Sequence, residues 1–223
     1  MKIAVIGTGT TGSEVLNLLE DDQIVGPFDS SHPPTIEKLK SADAAIIFVP
    51  GSAVDDIINI VMDAEIATAW GSTGYDWPHE ELDSELKKRE TKWVHASNFS
   101  LGMNIARRCL KIIGNGSEIL DEPEFSIHEI HHTGKQDAPS GTALAWERWL
   151  GKEATITSER KGDIKGIHQL KMETDFETIQ LQHEAHDRAI FAEGALWAVR
   201  QLTDTSFEPG FYSMETLFDQ KMG

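Results

Sequence analysis

The chain has 223 residues, 39% hydrophobic and 26% charged, with 20 Lys and Arg against 37 Asp and Glu for a formal net charge of −17. That length suits one large domain or two modest ones. No apolar run approaches the roughly 20 residues of a membrane span, and the acid excess argues against nucleic acid, which is bound by basic stripes. One cysteine, Cys109, excludes an intramolecular disulfide, and its setting in "NIARRCLKII" reads as a buried thiol on a helix face. The start, "MKIAVIGTGTTG", breaks into glycines too early for the core of a secretory signal and reads as a buried strand of a cytoplasmic protein.

In chain order, short apolar runs alternate with helical patterns: "KIAVIG" and "SEVLNLLE", "QIVGPF" and "TIEKLKSA", "AAIIFV" and "VDDIINIVMDA", "IATAWG" and "HEELDSELKKR", then "WVHAS". Runs apolar throughout and bounded by glycine or proline suit strands covered on both faces, with the helices as crossovers. The expected fold is α/β, a doubly wound parallel sheet. Near residue 100 the pattern changes. "LGMNIARRCLKIIG" has helical spacing, "EFSIHEI" reads as a strand, and "SGTALAWERWL" opens at an N-cap, Ser140, and stops at Gly151. "TIQLQHEA" alternates like a strand exposed on one face, and "RAIFAEGALWAVRQL" is helical again.

The loop "VIGTGTTGSEVL" sets Gly7, Gly9 and Gly12 in G-x-G-x-x-G spacing, between a strand and a helix, with Thr8, Thr10 and Thr11 filling the loop. Dinucleotide binding needs one glycine for the tight turn, one for close approach to a pyrophosphate and one for helix packing, at the positive end of a helix. Asp29 ends the second expected strand, where a carboxylate can bond both ribose hydroxyls of NAD; its plainer role is to cap a turn in "DSSHPP". No Lys or Arg follows it, only Ser30, Ser31 and His32, so NADH is favoured over NADPH.

The stretch Glu129 to Leu144, "EIHHTGKQDAPSGTAL", collects two histidines, a lysine, two carboxylates and hydroxyls. Three chemistries compete for it. A zinc site would show helical H-x-x-x-H or paired cysteines, and neither is present, so no metal is expected. A nucleophilic Ser140 would need the full G-x-S-x-G elbow, which "APSGTA" lacks. Hydride transfer to an imine or conjugated carbon needs an acid beside the nicotinamide, which His and Lys can supply. Ser140, Gly141 and Thr142 at a helix start would receive a substrate carboxylate. Residues 128–171 carry seven Lys and Arg against six Asp and Glu, so an anion is expected to bind there.

That segment closely resembles the E-x-H-H-x-x-K-x-D-A-P-S-G-T-A block of the dihydrodipicolinate reductase family. "WGSTGYD", "ASNFSLGMN", "RKGDIKGIH" and "HEAHDRAIFAEGAL" are similar to further family blocks in the same order, over nearly the whole chain. The resemblance implies a Rossmann-like dinucleotide-binding domain over 1–100 and a C-terminal α+β mixed-sheet domain over 101–196 for substrate and oligomerisation. It further implies a helix over 197–223 packing back on the first domain, and a homotetramer.

By motif position it implies His131 as principal acid/base, Lys135 as proton donor, and His132, Ser140, Gly141, Thr142 and Thr73 around the substrate's carboxylates. Gly71, Ser72 and Thr73, with Ala96, Ser97, Asn98 and Phe99, would border the nicotinamide; Arg188 and Phe191 would line the cofactor side or serve only as a helix-end charge and a core aromatic. The implied reaction, in lysine and diaminopimelate biosynthesis, starts from 4-hydroxy-tetrahydrodipicolinate. Loss of water gives a conjugated imine, and hydride from NAD(P)H adds at ring position 4 to give tetrahydrodipicolinate. The rivals are a reductase of another cyclic imine or enoate diacid, and a non-catalytic nucleotide sensor of the same fold. Departures from the family pattern gather on the cofactor side: a short loop after Asp29, "TT" in the glycine loop, "FVPGSAV" after the third strand, and Ser72 in place of threonine.

Overall fold

Ile3 to Ile6 and Ala44 to Ile47 are almost wholly covered, which is why they form strands with no polar alternation. The computed structural model describes residues 1–204 and 206–223. The chain divides into unit 1, Met1–Ser100 with Arg188–Gly223, and unit 2, Leu101–Asp187.

Unit 1 holds six parallel strands: β1 (Ile3–Ile6), β2 (Ile24–Phe28), β3 (Ala44–Ile47), β4 (Ala67–Trp70), β5 (Lys92–His95) and β10 (Gly210–Ser213), in the order β10-β5-β4-β3-β1-β2. The order reverses between β3 and β1, so the loops after those strands open at a switch point, where such sheets bind ligands. Helices α1 (Thr10–Asn17) and α7 (Ala189–Leu202) pack on each other. Helices α2 (Ile36–Leu39), α3 (Val54–Ala64) and α4 (His79–Lys88) close a second core with Ile6, Val61, Trp70, Leu86 and Trp93. Each fully buried Ile or Leu there contributes roughly 1.5–3 kcal/mol.

The C-terminal segment differs from the single helix expected over 197–223. It is the end of α7, then β10, then α8 (Met214–Met222). Pro209 and Gly210 break the helical run, Phe211 N donates to Asp83 Oδ1 at 3.1 Å, and Ser213 caps α8 by accepting from Thr216 N. The segment that belongs with unit 1 starts at Arg188 rather than at 197, because α7 runs through 196 without a break.

Unit 2 contains α5 (Leu101–Gly116), β6 (Glu124–His131), α6 (Gly141–Leu150), β7 (Thr155–Arg160), β8 (Ile167–Glu173) and β9 (Thr178–Glu184). Its sheet order is β7-β6-β8-β9; β6 and β7 are parallel and the other pairs antiparallel, so the sheet is mixed. Phe125, Ile127, Glu129 and His131 share one face of β6, and Ile127 packs with Leu110, Trp146 and Leu170 against α5 and α6. Gly114 lets the two helices touch, since a Cβ there would lie 1.8 Å from the Leu150 carbonyl oxygen. Cys109 is half-buried on α5 with a free thiol. Among the described residues no helix is long and apolar enough to cross a membrane.

Candidate active site

The inward face of β6 continues past its apolar residues into Glu129 and His131, both buried. Strand pairing sets Glu129 opposite Ser158 on β7 and His168 on β8, and His131 opposite Arg160. The row is thus assembled from three strands by register.

Glu129 Oε1 accepts from Arg160 Nη2 at 3.0 Å and from the Ser140 amide at 3.2 Å, while Oε2 lies against His131 Nδ1. Burial pushes the Glu129 carboxyl up; the Ser158 hydroxyl, Arg160, the His131 charge and the Ser140 amide outweigh it and hold the group at about 2. Glu129 is therefore an anion at any working pH. Burial pushes the His131 imidazole below its ordinary value, opposed by Glu129 and assisted by Lys135 and Arg160. His168 stacks edge-on to His131 at 5.0 Å, and burial first, then His131, pulls it down to about 4, so it stays neutral.

Beyond β6 the chain turns through residues 132–140 into α6. Lys135 Nζ pairs with Asp137 Oδ1 at 2.8 Å, and that ammonium, followed by lesser contributions including the Gly141 amide, keeps the Asp137 carboxyl below its usual range. Ser140 is the N-cap expected from sequence, with Oγ accepting from Ala143 N at 3.1 Å, and Gly151 ends the helix left-handed. The Ser140 hydroxyl also faces His168 Nε2 at 3.4 Å and is buried, so both its polar groups are turned inward. Gly141 and Thr142 remain at the helix start, exposed and half-exposed, and His132 is half-buried beside Gly134.

Glu129, His131 and His168 bring donor atoms within 4.8 Å of one another, a set able to hold a metal ion that local spacing does not foreshadow. Both carboxylate oxygens already face Arg160 and His131, however, and a guanidinium beside a ligand disfavours a cation.

In unit 1 the glycine loop fits a dinucleotide. Gly7 has φ +93°, and a Cβ there would lie 2.1 Å from the Phe48 carbonyl oxygen; Gly12 is so close to Gly7 that a Cβ would lie 1.8 Å from its carbonyl oxygen. Gly9 has nothing within 4 Å of a would-be Cβ, so this backbone is bare on the side a ligand would approach. Thr8 is exposed with its carbonyl bound to Ser13 Oγ, while Thr10 and Thr11 open α1. Asp29 does cap its turn, Oδ1 accepting from Ser31 N at 2.8 Å and His32 N at 2.9 Å; those two amides hold it below the ordinary carboxylate range.

Gly71 follows β4 with the Phe48 ring where a Cβ would be, Ser72 is buried with no partner for its hydroxyl among the described residues, and Thr73 is exposed. Thr73 thus belongs to unit 1, not to the His131 cluster. Ala96 and Phe99 are buried, Phe99 edge-on to Phe48, while Ser97 is exposed and Asn98 Oδ1 accepts from Ser100 N. Gly194 of α7 touches the Phe99 carbonyl, which explains a glycine in mid-helix. Arg188 precedes α7 and is exposed; Phe191 is half-buried.

A family model described as "Dihydrodipicolinate reductase, C-terminus" matches residues 102–218, more than half of the chain and including β6, the Lys135 turn and α6. The chain belongs to the dihydrodipicolinate reductase family. Curated relatives carry the name 4-hydroxy-tetrahydrodipicolinate reductase: one from Alkaliphilus oremlandii is 30% identical over 246 residues, covering 98% of this chain and 99% of the relative. One from Pelagibacter ubique is 31% identical over 210 residues, covering 83% and 79%. The first alignment is longer than the chain, so it carries gaps. A solved dipicolinate-bound dihydrodipicolinate reductase from Paenisporosarcina sp. TG-14 shares the fold, with TM-score 0.75, 16% identity and coverage of 96% of this chain and 98% of that one. In this member of the family, Arg160 and His168 join Glu129 and His131 through strand register, which no sequence spacing foretold; the signal for them was the motif "RKGDIKGIH".

Proposed function

We propose that the chain is an NAD(P)H-dependent 4-hydroxy-tetrahydrodipicolinate reductase of lysine and diaminopimelate biosynthesis, with NADH the favoured cofactor. The observation that carries this reading is the buried Glu129 and His131 pair in the same unit as Lys135 and the α6 helix start, within a chain of this family.

Gly7, Thr8, Gly9, Thr10, Thr11 and Gly12 would hold the pyrophosphate, and Asp29 the ribose through the carboxylate oxygen not taken by its own turn. Gly71, Ser72, Thr73 and Ala96 to Phe99 would border the nicotinamide, which supplies the hydride when bound. His131 takes up a proton at Nε2 and gives it from there as acid, while Nδ1 keeps its own proton towards a carboxylate that can only accept. Lys135 is the second proton donor, held between Asp137 and the substrate side of its turn. One substrate carboxylate is received by the amides and hydroxyl at Gly141 and Thr142, with His132 in the same unit; Ser140 contributes by capping the helix rather than by direct contact. A planar diacid such as the dipicolinate of the solved relative is the class of ligand this receptor would take. A cytoplasmic homotetramer is the assembly that the family resemblance implies.

The test supplies enzymatically made 4-hydroxy-tetrahydrodipicolinate and follows oxidation of NADH and NADPH. Wild type turns over with both, NADH giving the higher kcat/KM. His131→Gln and Lys135→Ala each lose on the order of 10²–10⁴ in kcat while NADH binding is kept. NADH binding without turnover on this substrate would favour the sensor or another cyclic diacid as substrate.

A further inference from the structure

Glu129 is wholly buried, and a buried anion is costly unless its lone pairs are filled. Here Oε1 accepts from Arg160 on β7 and from the Ser140 amide before α6, and Oε2 lies against His131 Nδ1 on β6 itself. Arg160 reaches the opposite way too. Its Nε donates to the Lys135 carbonyl at 3.3 Å, and Nη2 also donates to the Asp137 carbonyl. One guanidinium therefore touches the carboxylate behind His131 and the backbone on both sides of Gln136, in the turn that carries Lys135. Gly166 adds an independent observation. A Cβ there would stand 3.2 Å from His131 Nε2, so the ring nitrogen turned away from Glu129 borders space that this glycine leaves open.

We propose that Glu129 and Arg160 are positioning residues: Glu129 fixes His131 with a proton on Nδ1, leaving Nε2 to take up a second proton and pass it on, and Arg160 holds Glu129 and the Lys135 turn in one register. The inference deepens the reductase reading, and its kinetic arm rests on that reading. Charged and titratable groups acting on His131 are Glu129 on β6, Arg160 on β7, Lys135 in the turn and His168 on β8, with His183 next to His168 on β9. From α6, the Ser140 hydroxyl and the Trp146 ring face His168.

Glu129→Gln is the discriminating change. Arg160 Nη2 and the Ser140 amide both donate at Oε1, so the amide oxygen settles there and the amide NH2 faces His131 Nδ1. Nδ1 must then accept, and the proton moves to Nε2. Long-range ¹H–¹⁵N spectra of labelled protein read this directly without substrate. The expected results are an Nδ1-protonated neutral imidazole in wild type and an Nε2-protonated one in Glu129→Gln. His131 in the variant also titrates at lower pH, because the carboxylate that favours its cation is gone.

In the kinetic arm kcat falls on the order of 10²–10⁴, because with Nδ1 facing an amide NH2 the ring no longer takes up the second proton it must pass on, while the substrate KM and the NADH Kd change less than about threefold. Arg160→Lys keeps the His131 tautomer but loosens the turn, so its loss in kcat is smaller in a Lys135→Ala background than in wild type. An Nε2-protonated His131 in wild type overturns the proposal, as does a Glu129→Gln protein with unchanged tautomer and kcat. The wild-type spectrum decides the tautomer even where a variant fails to fold. Absence of turnover with either cofactor sinks the reductase reading alone, because the spectra still decide what Glu129 does to His131.

Discussion

Around Gly7, Gly9 and Gly12 the candidate cofactor site is made by atoms that are missing, whereas around Glu129 the candidate acid site is made by side chains that meet. The first needs bare backbone within six consecutive residues. The second draws Glu129 and His131 from β6, Ser158 and Arg160 from β7 and His168 from β8. A backbone site is local, so one change of shape breaks it. A side-chain site is distributed, so its failures show as altered protonation before they show as lost structure.

The strongest way to break the backbone site is Gly12→Val. The added branched side chain overlaps the Gly7 carbonyl, so calorimetry should show a loss of about 3 kcal/mol or more, and NADH fluorescence titration no binding. Unchanged stability would mean that helix α1 can move away from β1.

Acid tests whether the units differ once burial alone decides. Burial pulls His95 in unit 1 and His168 in unit 2 each to about 4, assisted by His79 and His131 respectively. The unfolded chain binds these protons near 6.5 while the folded chain refuses them, so stability is full above 6.5 and falls as pH drops towards 4. Urea unfolding should record up to about 3 kcal/mol lost for each histidine. Glu129 acts with the same sign in a lower window, its folded value of about 2 lying below the ordinary 4.5. Its contribution is present above 4.5 and is lost between 4.5 and 2, so unit 2 loses stability a second time below the histidine window. A single transition ending at pH 4 would contradict the paired Glu129.

The smallest effect sharpens the comparison most. Gly9→Ala meets nothing in the folded chain, so its melting temperature should match wild type within about 0.5 kcal/mol of stability. NADH affinity should nevertheless fall about tenfold, because the methyl stands where backbone must approach the pyrophosphate. Equal affinity would leave Gly9 as an ordinary turn residue.

These contrasts also explain what could be read in the sequence. The five strands up to His95 were legible because each is an apolar run between turn residues, and α6 because Ser140 and Gly151 bracket it. β10 was not, since "GFYS" is four residues whose only claim to be a strand is its parallel pairing with β5. β7 was hidden by "TITSER", an exposed and mostly polar run at the edge of its sheet. The glycine loop announced itself by spacing because all its parts are contiguous. Arg160 and His168 reach Glu129 and His131 only through strand register, which no single segment encodes. His131 and Lys135 stand out in one motif; the contacts that Arg160 and His168 make around them do not.

The Asx turn at Asp29 carries a consequence of its own. Two amides of the same turn already grip one oxygen of that carboxylate. Its rotational freedom is therefore surrendered when the chain folds, not when a ligand arrives. A ribose meeting Asp29 would find an acceptor whose orientation has already been chosen, so recognition there draws on order that the short loop "DSSHPP" created in advance.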